Sequence, residues 1–391
     1  MFLLMRYVRA ALGTAGVFAL LGAVFLLISL TLPVKVWRTG ELPTEPIRVE
    51  PAGPFSPSPL RVWIDTDAAC GRGQRTDPDD CLAMLLLARD SHIEIIGVST
   101  VFGNAPLPET DQTTRALMAA VSKAGAQSAP VYRGSSRPLQ NSEPAATAQV
   151  EEAHEALYLA LAQGPLTIVA LGPLTNVAIA LEQHPELRMN VTRLVAVMGR
   201  RKGHVFHPIE GATAHSFLGH GPIFRDFNFT EDAEAATRVV AMELPTTLVP
   251  YEAARSIVLT PTVLDEMEAG GDAAAWVAAQ ARPWLAYWRQ DIGLEGFYPF
   301  DLVAAAYLIE PSFLHCGEIP LTIEDDTWLF GWLGYRALFV APDDSADSKV
   351  YVRGSALYCP DVSPHLERWL ADRLIDGTDD NGRSASQVAT R

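Results

Sequence analysis

The sequence is short of basic residues and of cysteine. It holds 30 lysines and arginines against 46 aspartates and glutamates, a formal net charge of −16. Because proteins that bind nucleic acid present a basic groove to the phosphates, this balance argues against a nucleic-acid partner. The four cysteines show no C-x-x-C spacing, so neither a zinc ribbon nor a thioredoxin-like motif is indicated. Whether Cys316 and Cys359 are paired is left open by the sequence.

Charged residues are also absent from residues 10–34. An apolar stretch of this length can cross a hydrocarbon core of about 30 Å, and no small-residue cleavage site follows it. We therefore predict a transmembrane anchor over residues 1–36, in a single-pass membrane protein whose body lies on the non-cytoplasmic side. Residues 37–59 hold six prolines, which predicts a stiff, extended spacer.

The remainder is predicted to form one α/β domain, over residues 60–373, followed by a polar, disordered tail over residues 374–391. Short apolar runs rich in β-branched residues alternate with helical patterns, which is typical of an open, mostly parallel, doubly wound sheet. The transmembrane helix would precede this sheet. The predicted strands are residues 61–65, 93–100, 166–171, 193–198 and 246–249. The predicted helices are residues 79–89, 109–122, 151–163, 174–182 and 231–241.

Aspartates are concentrated where the first of these strands ends and the next helix begins. Asp65 and Asp67 end the strand, and Asp77, Asp79 and Asp80 open the helix. Carboxylates this close repel one another unless a cation lies among them, and open α/β sheets bind ligands beyond the carboxyl ends of their strands. The pattern therefore indicates a site for a hard metal ion. The alternative is a helix cap beside a solvated acidic loop.

Further polar and glycine-containing motifs follow the other strands. They are Val101-Phe-Gly-Asn104, Val131-Tyr-Arg-Gly134, Ala170-Leu-Gly-Pro-Leu-Thr-Asn176, Val197-Met-Gly199, Asp226-Phe-Asn228, Asp232-Ala-Glu-Ala-Ala236 and Asp301-Leu-Val-Ala. With the two aspartate clusters, and in this order from about residue 61 to residue 311, they resemble the inosine-uridine preferring nucleoside hydrolases. The resemblance implies an open α/β fold, one bound Ca²⁺ and hydrolysis of the N-glycosidic bond of a small-molecule ribonucleoside.

The resemblance also implies roles for individual residues. The calcium ligands would be Asp67, Asp80, Asp301 and the main-chain carbonyl of Leu171, all of them oxygen donors. Asp67 would also be the general base toward a water molecule on the ion. The substrate would be held by Asp79, Asn104, Met198, Asp226 and Asn228. For Asn104 and Asn228, an ordinary turn or cap role is the alternative.

Two departures from the family pattern concern the sugar side of the site. Residues 68–78 lengthen the link between Asp67 and Asp79, so that either Asp77 or Asp79 could take the sugar-binding position. Asp226 stands where the family has a glutamate and is one methylene shorter.

A third departure concerns the leaving group. Phe300 stands where purine-preferring members have a histidine that can protonate the base, and a missing general acid typically costs about 10²- to 10⁴-fold in rate. The segment 199–221 carries four histidines and could supply an acid, or it could be a solvated loop. Four aromatic residues upstream are predicted to belong to the core, with stacking on the base as the alternative, namely Trp284, Tyr287, Trp288 and Tyr298.

Two other functions are compatible with these patterns. A membrane-anchored glycosyltransferase would also have an N-terminal span, a proline-rich stem and an Asp-x-Asp motif, but Asp79, Asp80 and Asp301 exceed the carboxylates that it needs. A non-catalytic protein that binds ribose or nucleosides is favoured by Phe300. The oligomeric state is left open, a homo-oligomer included.

Overall fold

The structure is a computed structural model, and it describes residues 20, 22–23, 48–55, 59–140, 151–201, 226–328, 333–340 and 349–376. The strands are β1 (Glu50–Pro51), β2 (Leu60–Thr66), β3 (Ile93–Thr100), β4 (Val131–Arg133), β5 (Leu166–Ala170), β6 (Val191–Ala196), β7 (Arg200–Arg201), β8 (Thr246–Leu248), β9 (Leu314–Trp328), β10 (Leu333–Val340) and β11 (Val350–Val362). The helices are α1 (Asp79–Arg89), α2 (Leu107–Lys123), α3 (Glu152–Ala162), α4 (Thr175–Gln183), α5 (Phe227–Glu231), α6 (Ala233–Val240), α7 (Tyr251–Ala254), α8 (Pro261–Ala269), α9 (Asp272–Tyr287), α10 (Phe300–Ile309) and α11 (Leu366–Asp376).

These strands form one mixed, mostly parallel sheet in the order β4-β3-β2-β5-β6-β8-β11-β9-β10-β7, with β1 paired to β9. Every neighbouring pair from β4 to β11 is parallel, whereas β9 runs antiparallel to both β10 and β11. Val62 and Ile64 of β2 pack into one hydrophobic core, with α1, while Trp63 packs into a second core, with α4. Helices therefore cover both faces of the sheet, as the sequence predicts.

The predicted elements agree closely with the observed ones. The predicted strand 93–100 and helix 79–89 have the bounds of β3 and α1, and the other predicted elements end within two residues of the observed ends. The antiparallel strands β9 to β11 were not predicted. Within the predicted spacer, residues 50–51 form β1, and the Phe55 ring lies 5.4 Å from that of Tyr307. Part of the proline-rich segment is thus packed on the domain.

The predicted membrane location is contradicted by the structure. Among the residues that it describes, no helix has both the length and the apolar character needed to cross a membrane. The predicted anchor itself falls almost wholly outside those residues, since only residues 20, 22 and 23 of it are described. The transmembrane part of the predicted fold class and the predicted membrane partner are corrected accordingly.

All four cysteines are paired, which answers the question that the sequence leaves open. Cys316 of β9 is bonded to Cys359 of β11, and Cys70 is bonded to Cys81 of α1. The second bond closes the segment 68–78, the link that the sequence analysis identified as longer than in the family pattern. Residue 70 is therefore fixed to the helix that carries Asp79 and Asp80.

We expect the bond between β9 and β11 to stabilise the fold. It joins residues 43 apart in sequence, and such a cross-link restricts the unfolded chain. The double variant Cys316→Ala, Cys359→Ala should unfold with a free energy lower by about 2–4 kcal/mol, measured by denaturant titration in the absence of reductant. Wild-type protein treated with reductant serves as the control and should unfold at least as easily as the variant, because reductant also breaks the bond between Cys70 and Cys81. Identical unfolding curves for oxidised wild type and variant would contradict this expectation.

Candidate active site

A cavity of about 330 Å³ opens beyond the carboxyl ends of β3, β5 and β6. Asn104 follows β3, Leu171 follows β5, and Met198 follows β6, and all three line it. Because these strands are parallel, their ends meet at one edge of the sheet, which is where open α/β sheets bind ligands. The cavity is therefore the candidate site.

Asp67 is buried next to Asn104, in close contact with two glycine-containing loops, and does not itself line the cavity. Its Oδ2 accepts a hydrogen bond of 2.9 Å from the main-chain N–H of Asn104. Gly103 permits this approach, because a Cβ built there would lie 1.8 Å from the same oxygen. The other oxygen, Oδ1, is buried and accepts no hydrogen bond from the described residues. A buried acceptor without a partner is unfavourable unless a ligand satisfies it.

Three further carboxylates form a buried cluster beside Asp67. Asp79, Asp80 and Asp301 each offer one oxygen, and these oxygens lie within 4.8 Å of one another. Asp79 and Asp80 open α1, and Asp301 lies in the first turn of α10, so the positive ends of two helix dipoles favour the negative charge. The Asp301 N–H donates to Asp79 Oδ2 over 3.1 Å. This bond holds the two helix ends together.

Asp80 also connects the cluster to the neighbouring loops. It accepts hydrogen bonds from the Thr66 hydroxyl and, over 3.2 Å, from Asn104 Nδ2. Asn104 therefore contacts Asp67 through its main chain and Asp80 through its side chain. It therefore helps to position two carboxylates of the site, while its contact with the sugar stays a prediction.

Burial raises the pKa of these carboxyl groups, and their neighbours raise it further. The pKa of Asp80 is about 7, because of burial first and of Asp79 second. The pKa values of Asp67 and Asp301 lie well above the usual range, through burial and then through the charge of Asp80 and of Asp79, respectively. A divalent cation among these groups would remove the repulsion and hold them ionised. The donor set, all oxygen, suits a hard cation such as Ca²⁺.

The predicted and the observed carboxylate sets overlap without being identical. The resemblance implies Asp67, Asp80 and Asp301 as calcium ligands, whereas the oxygens that lie within 4.8 Å of one another belong to Asp79, Asp80 and Asp301. Asp77 lines the cavity as well, and its Oδ1 accepts the Asp79 N–H over 3.2 Å. The ligand set inferred from the resemblance stays a prediction.

Asp65 lies near the end of β2, two residues before Asp67, but its side chain belongs to a different hydrogen-bond network. Asn176 Nδ2 donates to it over 2.7 Å, and the Ser99 hydroxyl donates to it as well. Asn176 Oδ1 in turn lies 3.1 Å from His154 Nε2. This buried network joins β2, β3, α3 and α4 behind the site. Asp65 thus supports the fold and does not join the carboxylate cluster.

The predicted sugar-binding residues Asp226 and Asn228 lie on another side of the cavity. Asp226 Oδ2 accepts the Gly199 N–H over 2.8 Å. Asn228 Nδ2 donates to the carbonyls of Leu171, over 2.6 Å, and of Val197, over 3.2 Å. The Leu171 carbonyl, a predicted metal ligand, thus already accepts one hydrogen bond, and its second lone pair remains for an ion. Neither bond uses Asn228 Oδ1, which can therefore still accept a hydrogen bond, such as one from the predicted ribose hydroxyl.

Aromatic residues line much of the remaining cavity wall, namely Phe227, Tyr251, Trp284, Tyr287 and Phe300. Phe300 stacks on Tyr251 with ring centroids 5.8 Å apart. Trp284 and Tyr287 lie one turn apart on α9, with centroids 5.3 Å apart. Both residues are buried, as the core prediction has it, and both also line the cavity, so that stacking on the base stays open as the alternative. Periodicity alone cannot separate the two roles.

Arg75 lines the cavity too, and no motif pointed to it. Among the described residues that line the cavity, Arg75 is the only basic one. Its guanidinium lies 5.1 Å from the centroid of the Tyr287 ring and 3.9 Å from the carboxylate of Asp291. The sole signal in the sequence was its place in the lengthened segment 68–78. The four histidines predicted as an alternative source of acid fall within residues 202–225, outside the described part of the chain.

Comparison with known proteins gives a consistent result. The family model described as "inosine-uridine preferring nucleoside hydrolase" matches residues 62–343. An uncharacterized protein of Schizosaccharomyces pombe is 26% identical over 297 residues, which cover 69% of this chain and 86% of the relative. The pyrimidine-specific ribonucleoside hydrolase RihB of Escherichia coli is 26% identical over 268 residues, covering 63% and 80% of the two chains.

Solved structures show the same fold. A plant nucleoside hydrolase superposes with a TM-score of 0.61 at 18% identity, covering 81% of this chain and 99% of that one. A purine-preferring ribonucleoside hydrolase from Gardnerella vaginalis gives a TM-score of 0.59, also at 18% identity, with coverage of 80% and 98%.

The pKa of Asp226 generates a prediction about stability. Burial raises it from 3.8 to about 7, so folding favours the protonated form. The resulting contribution to the free energy of unfolding is complete below about pH 4 and is lost as the pH rises through 7. Raising the pH from about 5 to 8 should therefore lower the free energy of unfolding of wild type more than that of Asp226→Asn. The difference should reach at most about 1.4 kcal/mol for each pH unit below 7.

Urea unfolding of both proteins at several pH values measures this difference. Parallel pH dependences would mean that the pKa of Asp226 is not raised in the folded protein, as expected if solvent in the cavity screens this half-buried carboxyl.

Proposed function

The chain belongs to the inosine-uridine preferring nucleoside hydrolase family, and we propose that it hydrolyses the N-glycosidic bond of ribonucleosides with the help of one bound Ca²⁺. The observation that carries this proposal is the buried carboxylate cluster at the sugar-sized cavity, where Asp67 Oδ1 has no donor among the described residues. The pyrimidine specificity named for the Escherichia coli relative RihB adds support for a pyrimidine riboside as the substrate.

The residues present fit a calcium ion. Asp67, Asp80, Asp301 and the Leu171 carbonyl would hold it, since each offers an oxygen and the carboxylates supply the opposite charge. When bound, the ion supplies Lewis acidity to a neighbouring water molecule.

The protein's own groups would carry the hydrolysis as follows. Asp67 accepts a proton from the attacking water, for which its otherwise unpartnered Oδ1 is suited. Asp79, Asn104, Asp226 and Asn228 hold the ribose hydroxyls. Fixing these hydroxyls favours the flattened sugar ring of an oxocarbenium-like transition state, and the surrounding carboxylates stabilise its positive charge.

The leaving-group side of the cavity is apolar where purine-preferring members place an acid. Phe300 lines the cavity and stacks on Tyr251, and it can donate no proton. A base that needs protonation would leave slowly. The same observation favours a second candidate function, a nucleoside-binding protein without hydrolytic activity.

The decisive assay uses a nitrophenyl riboside, whose leaving group needs no proton. We expect chelator-treated protein to be inactive and calcium to restore hydrolysis, together with a higher melting temperature through binding to the folded state. In Asp80→Asn both effects should be lost, because a proposed metal ligand is itself removed. The loss in calcium affinity or activity should exceed the about 10- to 100-fold that is typical when a residue hydrogen-bonded to a metal ligand is mutated. Asp65→Asn is the matched control, because Asp65 is equally buried but lies outside the cluster.

Calcium that raises the melting temperature without restoring hydrolysis would favour the binding protein. A melting temperature unchanged by millimolar calcium would contradict the metal site itself.

A second prediction concerns Phe300. Phe300→His restores a group that can protonate a departing purine, so the rate of inosine hydrolysis should rise by about 10²- to 10⁴-fold. The rate with nitrophenyl riboside should stay nearly unchanged. Phe300→Leu is the control, since it removes the ring without adding an acid and should not raise the inosine rate. Rapid inosine hydrolysis by wild type would show that another residue already supplies the proton.

A further inference from the structure

We propose that Arg75 and Trp284 recognise the leaving base and select ribosides whose base presents oxygen acceptors and departs as an anion, as uracil does. This inference rests on the proposed hydrolase function and names the substrate class of the same cavity. The residues lie outside the motifs that the chain shares with the family pattern, and one of them comes from the lengthened segment 68–78.

Arg75 is placed by an ordered loop. The segment is closed by the bond from Cys70 to Cys81. Arg72 Nε donates to the Thr113 hydroxyl over 2.8 Å, and the Thr76 hydroxyl bonds to both polar main-chain groups of Gly73. These contacts hold both sides of the loop while leaving the Arg75 side chain 72% exposed. The loop thus delivers a cation to the cavity without burying it.

The guanidinium retains capacity for a ligand. Its ion pair with Asp291 is long, at 3.9 Å, and both side chains are exposed, so the pair is weak. The Tyr287 ring beneath it orients the guanidinium plane without consuming its N–H donors. An incoming oxygen acceptor can therefore bind Arg75 without breaking a strong contact.

Trp284 lines the same cavity and carries a second side-chain donor. Its ring contacts that of Tyr287, the ring that carries Arg75. Its Nε1–H is buried and donates to no acceptor among the described residues, although the residue lines the cavity. Because an unpaired buried donor is unfavourable, an acceptor on the ligand would satisfy it. Guanidinium and indole groups can only donate, so together they match carbonyl oxygens and oppose an amino edge.

The chemistry gives this pair a role in the transition state. As the bond from C1′ to the base nitrogen breaks, both electrons go to the base, which leaves as an anion. The water oxygen bonds to C1′ and its proton passes to Asp67, while the free base later takes a proton from solvent. Phe300 offers no proton at this step, so the charge that develops on the base is stabilised by the cation and the N–H instead.

The test compares three substrates, namely uridine, adenosine and a nitrophenyl riboside, with wild type, Arg75→Gln and Trp284→Phe. Wild type should prefer uridine to adenosine. Both variants should lose about 10- to 100-fold in kcat/KM for uridine, the range expected when a hydrogen bond to a charged group is removed. Nitrophenyl riboside should be affected far less, because nitrophenolate is stable as an anion without help. Arg368→Gln is the matched control, since it also removes an exposed arginine with a 3.9 Å ion pair, on α11.

Two outcomes would overturn the inference alone: equal losses for uridine and nitrophenyl riboside, or wild type cleaving adenosine as fast as uridine. Wild type that leaves nitrophenyl riboside intact in the presence of calcium would overturn the proposed function, and the inference with it. Melting temperatures of the variants near that of wild type exclude misfolding as the cause of a loss.

Discussion

The mutual repulsion of four buried carboxylates is the constraint on which the site depends. Asp67, Asp79, Asp80 and Asp301 come from three separate places in the chain and meet in a buried cluster, where water screens their charges poorly. Two helix N-termini, the Asn104 loop and hydrogen bonds among the groups themselves reduce the repulsion but do not neutralise it. Raised pKa values are the electrostatic expression of this excess charge. One divalent cation would compensate it, and the same charges would then serve a cationic sugar transition state.

The sheet explains why such a cluster can be built. Parallel strands deliver their carboxyl ends to one edge, and α1 and α10 begin at that edge. Aromatic residues of α7, α9 and α10 complete the cavity, so that a polar side for the sugar meets a flatter, apolar side for the base. The segment 68–78, fixed by a disulfide, adds a cation to the base side. In our proposal, sugar chemistry and base selection are therefore carried by different parts of the molecule.

Much of this could be predicted from the sequence because it is encoded locally. An unbroken apolar run fixes α1, a run rich in β-branched residues fixes β3, and the polar residues at strand ends identify the edge where the site lies. Features that depend on distant partners could not be predicted. Asp65 and Asp67 are alike in sequence, yet Asn176 and Ser99 draw one into a structural network. No sequence pattern identifies Arg75, because its position at the cavity depends on how the segment 68–78 packs in the folded chain. The membrane prediction was wrong because it rested on the hydropathy of one segment, with no tertiary structure to test it.

The most direct test is a crystal structure of the protein grown with calcium, with the ion located from its anomalous scattering. Our account predicts one ion with oxygen ligands at about 2.3–2.6 Å, including Asp80 and Asp301, and it would settle whether Asp67 or Asp79 completes the carboxylate set. The central claim would be contradicted by an ion bound away from these residues, or by a well-ordered cluster in which water alone lies among the carboxylates.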